Sequence, residues 1–197
     1  MTTCHIRLKE THYLNYGDII LNPDEPSHMC GIYVDIAPFE NTPNNKFIRK
    51  IDGYLHLMLL FAMSCVTTRD VVKYFRKNIE LTNEERNALA FKVLLGKIFG
   101  TLSISKWCRI YDCFASKNKN CNSEYVAAYT GLKDLNRSTF VRKKVLSYAK
   151  CEFERNSWNI PVDYDYYLQI VYGDYMKLPA VENRRSHPVI KIKFNDN

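Results

Sequence analysis

An acidic residue inside an apolar segment is the first candidate for chemistry. Asp35 lies in Gly31–Ala37, a β-branched and apolar run that is typical of a buried strand. A carboxylate removed from water costs free energy unless a partner binds it. Two interpretations remain open. Strand alternation turns Asp35 outward, or Asp35 faces a cleft as a metal ligand or a general base.

Tyrosines and acids dominate a second candidate near the end of the chain. The segment Tyr172–Pro179 reads YGDYMKLP. In a structural interpretation, Gly173 ends a helix and Asp174 supports the following turn. In a functional interpretation, Tyr172 and Tyr175 line a pocket, because tyrosine faces attract a cation.

Basic residues follow this segment, and acids precede it. Arg184, Arg185 and His187 are candidates for binding phosphate. Asp163 and Asp165 form a DYD sequence where a helix is predicted to begin. At that position we expect them to interact favourably with the helix dipole rather than to bind a metal.

Composition narrows the class of protein. The seven cysteines are odd in number and form no CxxC pair, which favours reduced thiols and a cytoplasmic protein. The net charge of +7 fits either solvated helix faces or attraction to phosphate-bearing ligands and an anionic membrane surface. No basic stripe or known module indicates nucleic-acid binding. P-loop, GxGxxG, HExxH and GxSxG motifs are absent.

The predicted elements place strands first and helices after them, in one domain. The apolar run Tyr54–Val66 is shorter than a membrane span, which needs about 20 residues. It is predicted to be a buried core helix, with an interfacial helix as the alternative. Thr82 and Glu85 form a capping box that begins another helix. The strands are expected at Cys4–Leu8, Asp18–Leu21, Gly31–Ala37 and 189–194. The helices are expected at 46–66, at 69–77, from Thr82 to Gly96 or Gly100, at Ser103–Ser116 and at Pro161–Tyr172. Residues 117–123 are expected to form a loop, and residues 140–149 a strand or a short helix.

The second candidate segment resembles the closing signature of the LicD family of phosphotransferases. The signature consists of a Phe-Glu pair, an Ile-Pro pair, a tyrosine-rich helix, the sequence YGDYMKLP and a basic tail with His. In this chain the two pairs are Phe153–Glu154 and Ile160–Pro161, YGDYMKLP is Tyr172–Pro179, and the basic tail is Arg184–His187. Gly31–Pro43 is similar to an earlier strand and loop of the family. The two matches occur in the family's order and together span nearly the whole chain. Ala180 departs from the family, which usually has a second proline there.

The resemblance implies a chemistry and a fold. It implies an α+β fold, with a partial nucleotidyltransferase-like mixed sheet in 1–45 and a mainly helical part in 46–197. It further implies that Mg²⁺ is held by carboxylates, with Asp35 as one ligand. The expected reaction moves phosphocholine or a similar group from a CDP-choline-type donor to a cell-surface glycan such as teichoic acid or lipopolysaccharide. The expected site residues are Asp35, Tyr172, Asp174, Tyr175, Arg184, Arg185 and His187.

One departure supports a different expectation. The family's acidic metal motif precedes the strand that corresponds to Gly31–Ala37, and this chain has no match to it. Two of the three expected carboxylates are therefore missing, so the chain is expected to be truncated at its N-terminus. The alternative function is a non-catalytic module or subunit that binds a glycan or a nucleotide. Peripheral association with the inner face of the membrane is a further expectation.

Overall fold

A computed structural model describes residues 4–7, 11–15, 32–78, 81–129, 139–181, 184 and 189–194. In these ranges the fold is mixed α/β, with five α-helices, a 3₁₀ helix and small sheets whose strands all pair antiparallel. The strands are β1 Cys4–Arg7, β2 Thr11–Asn15, β3 Tyr33–Ile36, β4 Glu40–Thr42, β5 Tyr125–Ala127, β6 Thr139–Val141, β7 Tyr148–Phe153, β8 Asn156–Pro161 and β9 Val189–Phe194. The helices are α1 Lys46–Asn78, α2 Asn83–Phe99, α3 Ile104–Ala115, α4 Arg142–Val145 and α5 Tyr164–Tyr172, with the 3₁₀ helix at Ser116–Asn118.

Most predicted elements are confirmed, with corrected boundaries. Residues 46–197 are less helical than predicted, because β5 to β9 lie there. The two helices predicted at 46–66 and 69–77 are one continuous helix. The helix continues through Thr67, whose hydroxyl donates to the Met63 carbonyl one turn earlier, at 3.0 Å. The strand predicted at Asp18–Leu21 lies outside the described residues.

Helices α1 and α3 pack together around a small apolar core, and α2 packs against α1. The buried residues of this core are Met63, Tyr111 and Ala115. Helix α2 begins at the predicted capping box, in which Glu85 bonds back to Thr82. It approaches α1 so closely at Gly96 that an added Cβ would overlap the Cys65 carbonyl oxygen. A glycine is therefore required at this helix contact.

Helix α1 exposes many apolar side chains. Between residues 46 and 70 it is long and apolar enough to cross a membrane by length and composition, although 39% of its most apolar window is buried. The bent pair α2–α3 also passes that test when taken together. The prediction of a buried helix therefore holds for only part of its surface. The exposed apolar side chains are Phe47, Ile48, Ile51, Tyr54, Leu55, Met58 and Phe61.

A three-stranded sheet carries the helix of the C-terminal signature. Its order is β4-β5-β6. A second apolar core forms on this sheet around Val126 and Phe140. Helix α5 packs on that core through Tyr167, whose ring lies 5.1 Å from the Phe140 ring. The Tyr166 hydroxyl also accepts a hydrogen bond from the Val141 backbone, at 3.1 Å. Helix α5 is thus held against β6.

Candidate functional site

The signature segment folds into a tight turn at the end of α5. Asp163 caps the start of the helix by accepting from the Tyr166 backbone N–H, so the helix begins three residues later than predicted from Pro161. Gly173 ends it with φ of 73°, a conformation in which glycine is favoured. The chain then doubles back, and the Tyr175 backbone N–H donates to the Gly173 carbonyl at 2.8 Å.

Asp165 is the centre of this turn. Its carboxylate accepts from the Tyr175 hydroxyl and from the Gln169 side chain, both at 2.6 Å. The hydrogen bond to Asp165 raises the pKa of Tyr175, so the phenol stays protonated and continues to donate. The two bonds fix the orientation of the carboxylate. Sequence reasoning assigned Asp165 only to the helix dipole, because the contact depends on the turn at Gly173.

An open cavity of about 440 Å³ lies beside the turn. Two acids, Asp165 and Asp174, line it together with Tyr175, and no basic residue does. A carboxylate and a tyrosine both attract a cation, the first by charge and the second through its ring. The cavity therefore suits a cationic group. Among the described residues, its lining is Asp165, Gln169, Gly173, Asp174, Tyr175 and Met176.

The structure brings together only some of the predicted site residues. Asp174 and Tyr175 line the cavity, whereas Tyr172 is 68% exposed and lies outside the lining. The Nε of Arg184 donates to the Pro179 carbonyl at 2.9 Å, which ties the tail back onto the signature segment. Arg185 and His187 lie outside the described residues.

Asp35 occupies a different part of the fold. It lies in the middle of β3, opposite His5 of β1. The strand is not buried as predicted, because Val34 is 67% exposed and Asp35 is exposed too. Within the described ranges, no three His, Cys, Asp or Glu side chains converge as a metal site. The described side chains therefore do not form the expected Mg²⁺ site. The other carboxylate ligands would have to come from outside the described residues.

A buried polar cluster that the sequence analysis did not identify joins α1 to α3. Asp52 and His56 are 4% and 2% exposed, and the two side chains approach to 3.8 Å. Lys117 forms an ion pair with Asp52. Burial lowers the pKa of His56 to about 4, Asp52 opposes that shift and Lys117 reinforces it. His56 is therefore neutral at physiological pH.

The rings around His56 complete the cluster. Its Nδ1 lies 3.3 Å from the Tyr111 hydroxyl, and its ring stacks on Tyr129 with centroids 3.9 Å apart. The sequence signal was the spacing of Asp52 and His56, four residues apart on an otherwise apolar helix face. The arrangement holds the helices and the end of β5 together.

Comparisons of the chain with models of protein families, with curated proteins and with solved structures found no match. The resemblance to the LicD family therefore rests on the quoted sequence motifs alone.

Proposed function

We propose that this chain acts as a LicD-type transferase with a nucleotidyltransferase-like fold. It moves phosphocholine or a similar substituent from a CDP-choline-type donor to a hydroxyl of a cell-surface glycan. The glycan oxygen attacks the choline-bearing phosphorus, the bond to CMP breaks, and the hydroxyl proton passes to a base. The acidic cavity at the end of α5 is the observation that carries this proposal.

The cavity supports recognition of choline rather than of an anion. Asp165 and Asp174 supply negative charge, and Tyr175 supplies a ring. Both oxygens of Asp165 already accept hydrogen bonds from neutral groups, so the carboxylate keeps its position. A quaternary ammonium has no N–H donor, and it is bound through charge and aromatic faces alone.

Asp35 and the basic tail have supporting roles in this proposal. The resemblance implies that Asp35 is a metal ligand, but we derive no step through Mg²⁺ because the described donors do not form its site. Arg184, Arg185 and His187 contact phosphate or position the acceptor. The Nε of Arg184 already binds Pro179, so its two terminal nitrogens remain for the ligand.

The cavity is tested by binding of choline and CDP-choline to the full chain, measured by calorimetry. Asp165→Asn and Tyr175→Phe weaken binding, and Asp165→Asn does so about tenfold, since loss of a charge and of a fixed ring is worth about 1.4 kcal/mol. Asp112→Asn is the matched control, because it makes the same change at an exposed helical position outside the cavity. Equal affinities for all variants would refute the cavity assignment.

A second function is favoured by the metal-binding side chains that the structure describes. Because the described residues gather no three metal-binding side chains, the chain is also a candidate for a module that binds the donor or the glycan without turnover. This function predicts CDP-choline binding that does not change in Asp35→Asn, and no CMP release.

Peripheral membrane association is part of the proposal as well. Helix α1 exposes a long apolar surface, and Lys46 and Lys50 lie near one end of it. An apolar helix face with flanking lysines is suited to an anionic bilayer surface. Cytoplasmic location at the inner face of the membrane is consistent with a nucleotide-activated donor.

A further inference from the structure

A second cavity of about 220 Å³ lies between the start of α1 and the three-stranded sheet. Helix α1 contributes four residues at helical spacing, and the sheet and α5 contribute the opposite wall. No residue of the acidic cavity lines it. The lining residues are Lys46, Arg49, Lys50, Gly53, Tyr125, Tyr129, Thr139 and Tyr166.

The charge of this cavity is positive and has no counter-charge in its lining. Lys46, Arg49 and Lys50 carry three positive charges, and no acid lines the cavity. The first turn of α1 also contains no acid, although the start of a helix favours negative charge through its dipole. The backbone N–H groups of Phe47 and Ile48 already donate to the Asn45 side chain, so the ligand would be held by side chains. Three cations at this position repel one another and the dipole. A bound anion removes both penalties.

Arg49 is already held in place. Its Nη1 donates to the carbonyls of Pro43 and Asn44, both at 2.8 Å. Its guanidinium stacks 3.9 Å above the Tyr125 ring. A guanidinium that is fixed by carbonyls and a ring loses little side-chain entropy when its other nitrogens bind a phosphate oxygen.

Tyr129 provides an independent indication of a ligand. The residue is 4% exposed, and its buried hydroxyl has no hydrogen-bond partner among the described residues. A buried polar group without a partner costs about 1–3 kcal/mol, so native proteins rarely retain one. Burial raises the pKa of Tyr129, which keeps the hydroxyl protonated and able to donate.

We propose that this cavity binds a phosphate group, with Arg49 as the fixed anchor, Lys46 and Lys50 as flanking charges and the Tyr129 hydroxyl as a neutral donor. The site consists of residues that the choline cavity does not use, so the inference does not depend on the transferase proposal. The tyrosine walls favour a phosphate attached to a larger body, because a ring or a lipid chain can pack on them.

The experiment is calorimetric titration of the full chain with inorganic pyrophosphate at constant ionic strength. Lys46→Ala combined with Lys50→Ala weakens binding at least about tenfold, since each charge-assisted contact is worth about 1.5–3 kcal/mol. Lys97→Ala combined with Lys106→Ala is the matched control, because both are exposed helical lysines outside the lining. Equal weakening in the two double variants, both with pyrophosphate and with the vesicles described below, would overturn the proposal.

Tyr129→Phe separates binding from folding. It removes the unpartnered hydroxyl, so the thermal midpoint of the free protein stays the same or rises while pyrophosphate affinity falls. Unchanged affinity in this variant would remove Tyr129 from the site. Vesicles that contain phosphatidylglycerol give a second titration. If the Lys46 and Lys50 double variant weakens binding to vesicles but not to pyrophosphate, the phosphate belongs to a lipid headgroup. If it weakens binding in neither titration, the site is refuted.

Discussion

Acidification should destabilise this protein through His56. In the fold, burial lowers the pKa of this residue to about 4, whereas an unfolded histidine titrates near about 6.5. At pH values above the pKa of His56 in the unfolded chain, the residue is neutral in both the folded and the unfolded state. Its contribution to the free energy of unfolding is then fully present. As the pH falls below about 6.5, the unfolded state takes up a proton that the folded state refuses, so the free energy of unfolding decreases.

The magnitude follows from the difference between the two pKa values. A difference of about 2.5 units, at about 1.36 kcal/mol per unit, gives a ceiling of about 3.4 kcal/mol. At about pH 5 the loss relative to neutral pH is about 2 kcal/mol. The loss levels off near about pH 4, where the folded protein also becomes protonated at His56. Such a loss is a large part of a typical folding free energy of about 5–15 kcal/mol.

The assay is urea denaturation followed by helical circular dichroism, at several pH values between about 7 and about 4.5. His56→Gln is the comparison, because it keeps a polar group but removes the titration. The difference in stability between the two proteins should shrink by about 2 kcal/mol on going to about pH 5. A difference that is constant with pH, or an NMR titration that gives His56 a pKa near about 6.5, would refute the assignment. The NMR titration uses the unaltered protein and does not require the variant to fold.

Three other predictions concern packing, capping and the apolar face of α1. Gly96→Ala should lower the free energy of unfolding by about 1–3 kcal/mol, because its methyl group would overlap the backbone of α1. The neighbouring Lys97→Ala serves as the control in the same urea assay. Equal losses of unfolding free energy in the two variants would contradict the close contact. Thr82→Ala should cost about 1 kcal/mol by removing the capping box of α2, and an unchanged urea midpoint would show that the cap adds nothing. Phe47→Ser combined with Phe61→Ser should reduce co-sedimentation with anionic vesicles, whereas retention at the unaltered level would argue against a membrane-facing α1.

Local patterns predicted the elements whose signals lie within a few residues. The Thr82 and Glu85 capping box predicted the start of α2, and Ser103 predicted the start of α3. The hairpin of β7 and β8 was missed, because its turn consists of Glu154 and Arg155. Both adopt positive φ values, which are unusual outside glycine and asparagine and carry no recognisable turn signal.

Features that depend on distant contacts were not predictable from local patterns. Strand β4 pairs with β5 through Asn41 and Val126, 85 positions apart. The role of Asp165 depends on Tyr175, which reaches it only after the turn at Gly173. The exposure of β3 depends on what covers its face, and an apolar sequence alone indicated burial.

The central claim is that this chain transfers phosphocholine from a nucleotide donor. It is tested most directly by CMP release from CDP-choline in the presence of Mg²⁺, with the full chain as enzyme and choline-free teichoic acid as acceptor. We expect CMP release above the protein-free background and choline covalently attached to the acceptor. CDP-choline binding without CMP release from the unaltered chain would contradict the transferase and leave the binding module in its place.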